Sequence, residues 1–388
     1  MAKLRNPLHW PPGWTDPSRL DWLRDTQINC LLAAPAAIAA PARTLGLETI
    51  DADSLPADVV MVKGNWPGLR RSRTGGDAVE TGPTGAPWVD SNGWLVRLEM
   101  ALHPEETVWI AADPPRDAAN MAGRLLAFAD AAAYGGRWVI VPGDDRESIQ
   151  RIARAAAFFS RHQEWASFQP LAVLAVISDF AGSNRFLSRE VLNLTGRLHR
   201  PYRILDKSRV TSLEGLKAVI YPDATPPAPE LRDMLMRFAG QGGLLITGPQ
   251  WGAGGDEGEH PRYRVTRHGQ GRIAVAKAAL TDPYLAANDA TTLLSHANDI
   301  VRFWNAGAMG SHYTRSADGR RSLVHLINYA GAPGRFPVSV WVKGLFRSAR
   351  LWTLEDSDSR PLEVRPDRDG VELHLPPIAV YAAVELAD

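Results

Sequence analysis

The chain has 388 residues, 45% of them hydrophobic and 22% charged, and its 43 basic side chains are balanced by 43 acidic ones. That length corresponds to two or three domains, each able to bury a core. A net charge of zero, without long runs of one sign, offers no footprint for a phosphate backbone or an anionic bilayer, so neither a nucleic-acid nor a membrane partner is expected. Cys30 is the only cysteine, which excludes an intrachain disulfide, a Cys-based zinc site and a C-x-x-C redox pair, and fits a reducing compartment. The segment M-A-K-L-R-N-P-L-H-W-P-P-G-W carries no apolar run, so a cytoplasmic location is expected. The Ala-rich stretch from Cys30 to Pro41 is too short to span a bilayer.

In chain order, short apolar runs alternate with helical patterns up to about residue 165, the rhythm of β/α units on a parallel sheet. Strands are expected at Ile28–Ala33, Glu48–Ile50, Val59–Lys63, Val108–Ala112 and Trp138–Val141. A helix over Gly93–His103 follows the long glycine- and proline-rich stretch 64–91, which reads as an irregular loop. A second helix, Asp117–Tyr134, places Met121, Leu125, Phe128 and Ala132 on one face and ends at Gly135-Gly136; a third covers Asp144–Arg161. Leu171–Ile177 then opens a second unit as a continuous apolar strand of the kind covered on both faces. Helix Leu187–His199, strands Tyr202–Leu205 and Ala218–Tyr221, helix Glu230–Gly240 and strand Leu244–Thr247 complete a doubly wound pattern. A hairpin over Arg262–Lys277 and a helix over Thr291–Trp304 follow. From about His312 the period becomes two, and six short strands, Ser322–Tyr329, Val338–Val342, Ala349–Leu354, Leu362–Arg365, Val371–Leu375 and Val380–Leu386, predict a small antiparallel sandwich.

The segments L-E-G-L-K-A-V-I-Y-P-D, G-Q-G-G-L-L-I-T-G-P and L-V-H-L-I-N-Y, in this order of units, resemble the trimeric bacterial β-galactosidases of glycoside hydrolase family 42. The stretches W-P-G at 66–68, P-W-V-D-S-N-G-W at 87–94 and A-Y-G-G-R-W-V-I at 133–140 are similar to those of bacterial proteins described as glycosidases. The resemblance implies an α/β chain of three parts: a (β/α) TIM-like barrel over 1–168, an amidotransferase-like (flavodoxin-like) doubly wound domain over 169–310, and a C-terminal β-sandwich over 311–388. It also implies a homo-oligomer, dimer or trimer, and a carbohydrate ligand. Two departures qualify it. The family's Asn-Glu pair is missing, since no Asn-Glu dipeptide occurs in the chain, and fewer than 170 residues precede the second unit where a full barrel takes about 250. An incomplete or rebuilt barrel is therefore expected.

Ligands of parallel sheets meet the carboxyl ends of the strands. There the sequence places Lys63, Asn65 and Trp66, then Asp113, then Asp144 and Asp145. Two carboxylates with pKa values set apart by their surroundings are the minimal equipment for glycoside hydrolysis, which makes Asp113 with Asp144 or Asp145 the candidate catalytic groups. Each has a structural alternative: Asp144 and Asp145 precede a helix they could cap, and Asp113 precedes Pro114-Pro115 and could brace a turn. Thirteen tryptophans outnumber the ten phenylalanines, and Trp66, Trp88 and Trp94 lie in or beside the long loop. Indoles there suit the apolar face of a sugar, or else plug an open barrel end. Asp90 could bind a sugar hydroxyl or cap the helix after it. Arg137, at the opposite end of its strand, reads as structural.

A glutaminase is excluded, because the only cysteine lies outside the second unit. The S-D-F-A-G-S-N segment at 178–184 lacks a phosphate-loop pattern and reads as a capping loop. The ten histidines form no short ligand pair, so neither metal nor cofactor is expected. Two functions follow: hydrolysis of a carbohydrate by carboxylate acid/base chemistry, or a catalytically inactive glycosidase-like protein that binds carbohydrate or serves as an oligomeric scaffold.

Overall fold

The computed structural model describes residues 4–72, 78–83, 85–115, 120–252 and 260–388. The first unit contains β1 (Pro7–His9), β2 (Cys30–Leu32), α1 (Ala36–Thr44), β3 (Glu48–Ile50), β4 (Val59–Lys63), β5 (Gly68–Leu69) and β6 (Val89–Asp90), then α2 (Gly93–Leu102), β7 (Thr107–Ala111), α3 (Met121–Ala132), β8 (Arg137–Trp138) and α4 (Arg146–Arg161). Parallel pairing joins β1 to β2, β2 to β3, β4 to β7 and β7 to β8. A parallel bridge between Leu8 and Ile140, with His9 N donating to Ile140 O at 2.9 Å, links the two sets. Six strands thus form an arc in chain order whose two ends, β3 and β4, are unpaired with each other among the described residues. The barrel is open, as its short length predicts.

Alternation along the strands decides which residues face inward. Cys30, Leu32, Ile50, Val59, Trp109 and Val139 form one buried cluster on the concave side. Their neighbours Leu31, Val108, Ile110 and Trp138 turn outward against the helices. Asn120 caps α3 through Gly123 N at 2.8 Å, while Gly135 (φ +91°) and Gly136 close it, as their position predicts. The expected first residue of that helix, Asp117, lies outside the described residues.

After β9 (Gln169–Pro170), the second unit runs β10 (Leu174–Ser178), α5 (Arg185–Arg197), β11 (Tyr202–Asp206), β12 (Ala218–Tyr221), α6 (Pro229–Gly240), β13 (Leu244–Thr247), β14 (Tyr263–His268), β15 (Gly271–Ala276) and α7 (Pro283–Leu294). Its sheet has the order β11-β10-β12-β13-β15-β14, parallel except for the edge strand β14. The apolar strands are buried on both faces, against α5 and α7 on one and α6 on the other. This is the doubly wound arrangement that the uninterrupted L-A-V-L-A-V-I run predicts. At the switch point beyond β10 and β12, Lys207 Nζ lies 2.8 Å from the fully buried Asp223 and also pairs with Asp179 at 2.5 Å. Asn184 donates to Asp179 and accepts from Ala224 N at 3.0 Å, so the 178–184 segment is stitched down by its own polar groups. The stretch G-A-G-G-D-E-G at 252–258, between β13 and β14, reads as a flexible loop in the sequence and lies, apart from Gly252, outside the described residues.

The last unit contains β16 (Val301–Trp304), β17 (Met309–Arg315), β18 (Arg321–Asn328), β19 (Val338–Lys343), β20 (Ser348–Thr353), β21 (Arg360–Leu362), β22 (Arg365–Asp367), β23 (Gly370–Leu375) and β24 (Tyr381–Ala387). They form two sheets, β16-β19-β23-β22 and β21-β20-β24-β18-β17-β9, with an apolar core between them. Two segments differ from what their sequence predicts. The helix placed at Thr291–Trp304 begins at Pro283, where Asp282 accepts from Tyr284 N and Leu285 N, and it ends before Ser295 at φ +71°. The V-R-F-W segment is instead strand β16, paired with β19. The strand placed at Leu362–Arg365 is two strands, β21 on β20 and β22 on β23, because the chain crosses from one sheet to the other there.

Strand β18 is buried along nearly its whole length because both its faces are covered. Val324 and Leu326 face the sandwich core, whereas Leu323, Ile327 and Tyr329 join Tyr381 and Ala383 in packing on the first unit. Among the described residues no helix is long and apolar enough to cross a membrane.

Candidate functional site

The carboxyl ends of β4, β7 and β8 open in the same direction, since Lys63 is in register with Ala111 and Ile110 with Trp138. Lys63 and Asn65 leave β4, Asp113 leaves β7 two residues beyond Ala111, and Asp144 follows β8. All four side chains are exposed. No hydrogen bond or ion pair among the described residues joins Lys63, Asp113 and Asp144 to one another. Asp144 accepts a long hydrogen bond, 3.4 Å, from the indole of Trp14. Asp145 accepts from Ser148 N at 2.7 Å and caps α4, which occupies one of its oxygens in holding a helix start.

Behind this rim stands a buried polar relay. Asn92 does not use its side chain to cap α2; it clasps the main chain of Asn65, accepting from the N–H and donating to the carbonyl, both at 2.8 Å. Its amide and its own N–H also donate to Asp130 at 2.8 Å, and the Tyr329 hydroxyl donates to the other oxygen of Asp130. Burial raises the Asp130 carboxyl to about 6, against the three donated hydrogen bonds. A sandwich tyrosine thereby fixes the β4 loop through a helix of the first unit. Gly64 suits this clasp, because a Cβ there would lie 2.5 Å from Asn92 Oδ1.

The described residues of the stretch 64–91 carry more pairing than a glycine-rich loop predicts. β5 and β6 pair antiparallel, and bridges join Arg71 to Val79 and Thr81 to Pro87. Asp90 does not cap α2, which its position before the helix allows; it pairs with Arg70, whose guanidinium also lies 4.7 Å from the Trp88 ring centre. Trp66 packs edge-to-face on Trp138, centroids 5.6 Å apart, with its indole N–H buried and unpartnered. That places Trp66 as a wedge against the barrel wall rather than as a free platform. Sequence reasoning passed over Trp14, which is 2% exposed and packs edge-on between Trp10 and Trp22 beneath Arg19. Its signal was the W-P-P-G-W spacing just after the first strand.

Among the described residues, no group of histidine, cysteine and carboxylate side chains has metal-site geometry. Burial pushes the Cys30 thiol up to about 12, so it supplies no nucleophile at neutral pH.

No protein-family model matches this sequence, and a comparison with curated proteins finds no match. Among solved structures the chain is similar to an α-L-fucosidase isoenzyme 2 from Paenibacillus thiaminolyticus, with a TM-score of 0.56 and 10% identity, over 99% of this chain and 100% of that one. It is also similar to a cold-adapted β-galactosidase from Rahnella sp. R3 (TM-score 0.53, 12% identity, 91% of this chain and 66% of that one). A rhamnosidase from Novosphingobium sp. PP1Y matches 90% of this chain and 38% of its own length (TM-score 0.52, 14% identity). The chain therefore spans the whole of the fucosidase and smaller shares of the other two. The glycosidase architecture implied by the resemblance is present; at these identities the likeness is one of fold.

Proposed function

We propose that this chain is a carbohydrate-binding protein on a glycosidase framework, taking a saccharide at the rim formed by Lys63, Asn65, Asp113 and Asp144 without cleaving it. The observation that carries this reading is the exposure of every candidate acid at the strand ends. A glycosidic general acid needs a carboxyl held protonated by an apolar surrounding. Asp113 and Asp144 stand in water, and Asp145 serves α4. Exposed amide, ammonium and carboxylate groups still suit hydrogen bonds to sugar hydroxyls. Trp66, Trp88 and Asp90 support the rim from within, through Trp138 and Arg70.

The hydrolytic reading keeps one observation: Asp113 and Asp144 issue from the same end of neighbouring strands. Calorimetry with neutral mono- and disaccharides, run beside a panel of aryl glycosides, separates the two. Binding that weakens five-fold or more in Asp113→Asn or Asp144→Asn, without turnover, is the expected result. Turnover that disappears in both variants would establish hydrolysis, and absence of any saccharide binding would leave only a scaffold role. The resemblance to the trimeric β-galactosidases adds a homo-oligomer to this proposal. Sedimentation at micromolar concentration is expected to show a species larger than the 42.4 kDa chain.

A further inference from the structure

A cavity of about 1220 Å³ lies at the other end of the barrel arc, where all three units meet. It is bounded by the start of β8, the ends of α3 and α4, the 163–167 turn, β11, and β17 with β18. Its walls are aromatic: Trp165 is 5% exposed and stacks on His162 with centroids 4.1 Å apart and planes 15° apart, and Phe128 and Phe159 stand beside them.

The charges in these walls are one-sided. Arg97, Arg137, Arg203 and Arg315 line the cavity and, among the described residues, Glu164 is its one carboxylate, already 3.5 Å from Arg321. Each of the four guanidiniums donates to a main-chain carbonyl: Arg97 to Tyr202, Arg137 to Gly136 at 2.7 Å, Arg203 to Glu214 at 3.1 Å and Arg315 to Gly319 at 2.7 Å. Among the described residues none of the four meets a carboxylate. Arg137 is the extreme case, with its Nε buried and unpartnered and burial pulling its pKa down to about 10 with no compensating acid. Two further wall atoms, the indole N–H of Trp165 and the hydroxyl of Thr314, are also buried without partners, on side chains 5% and 3% exposed. A half-buried cation that lacks a counter-ion is costly, and so are unsatisfied polar atoms beside it.

We infer that this cavity is a binding site for an organic anion with a flat apolar body, its carboxylate or phosphate meeting Arg137 and its body lying along Trp165 and Phe159. The planar fork of a guanidinium matches either head group with two parallel hydrogen bonds, and the aromatic walls match the body. The site is separate from the strand-end rim and does not depend on the saccharide reading.

The test is calorimetry on the full chain with 2-naphthoate, 2-naphthyl phosphate, the neutral 2-naphthamide and inorganic phosphate. Binding of at least one aromatic anion is expected, ten-fold or more tighter than the amide and than inorganic phosphate, and the two anions rank the head groups. Arg137→Met is expected to weaken that binding at least ten-fold while raising the thermal midpoint, since it removes an uncompensated half-buried charge. Arg203→Gln, at a second guanidinium lining the cavity, provides a second reading should Arg137→Met not fold, with a loss of three-fold or more expected. No binding of either anion at 5 mM, equal binding of the amide, or unchanged affinity in these variants would overturn the inference, whatever the saccharide assays show.

Discussion

His325 is 4% exposed, with Nδ1 2.7 Å from the Tyr381 hydroxyl, and burial pushes its pKa down to about 3. Its unfolded-state value is near 6.5. Below pH 6.5 the unfolded chain binds a proton that the folded chain refuses, so this histidine costs the fold progressively more stability as the pH falls from 6.5 towards 3. Urea midpoints measured from pH 7 to pH 5 are expected to fall, with a shallower slope in His325→Gln whatever its absolute stability. Asp145 makes the complementary point about reading side chains. Asp145→Ala is expected to lower stability by about 1 kcal/mol through the lost cap, with saccharide affinity unchanged, as thermal melts and calorimetry would show together. The alternatives open to Asp145 in the sequence, cap or catalyst, have the same local signature of an aspartate before a helix. Only the 2.7 Å bond from Ser148 N distinguishes them. Asp90 shows the reverse: its capping position was plausible, and a partner twenty residues away, Arg70, took it instead.

At the level of elements, local signals were legible wherever one residue type punctuates the chain. Gly135-Gly136 stops α3, and the apolar run of β10 declares a strand covered on both faces. The error at α7 came from a signal that was present and unread: Asp282-Pro283 is a cap followed by proline at the first helical position. The β-branched and aromatic V-R-F-W segment pairs with a strand nearly forty residues on, which no local window reveals. Close approach between elements yields a prediction of its own. A Cβ on Gly93, at the first turn of α2, would fall 2.3 Å from the ring of Tyr134. Gly93→Ala is therefore expected to destabilise by about 1 to 3 kcal/mol, as overpacking does, despite alanine's better helix propensity. Chemical denaturation would measure it.

Across the whole molecule, the order of units followed from the change of period along the chain, but the sites between units did not. The rim was legible because strand ends can be counted. The large cavity was not, because Arg137, Trp165, Arg203 and Thr314 meet only once three units have packed. The Asp130 relay is of the same kind, with Tyr329 lying 199 residues from its partner. Tyr329→Phe leaves a buried carboxyl short of one donor and is expected to cost about 1 to 3 kcal/mol, and to loosen Asn65 as seen by faster amide exchange in the β4 loop. Cys30, fully buried on the concave face of the open arc, gives the chain a built-in clock. As the sole thiol, it can be alkylated only when β2 parts from its neighbours, so the labelling rate of the native protein times how often that wall comes undone.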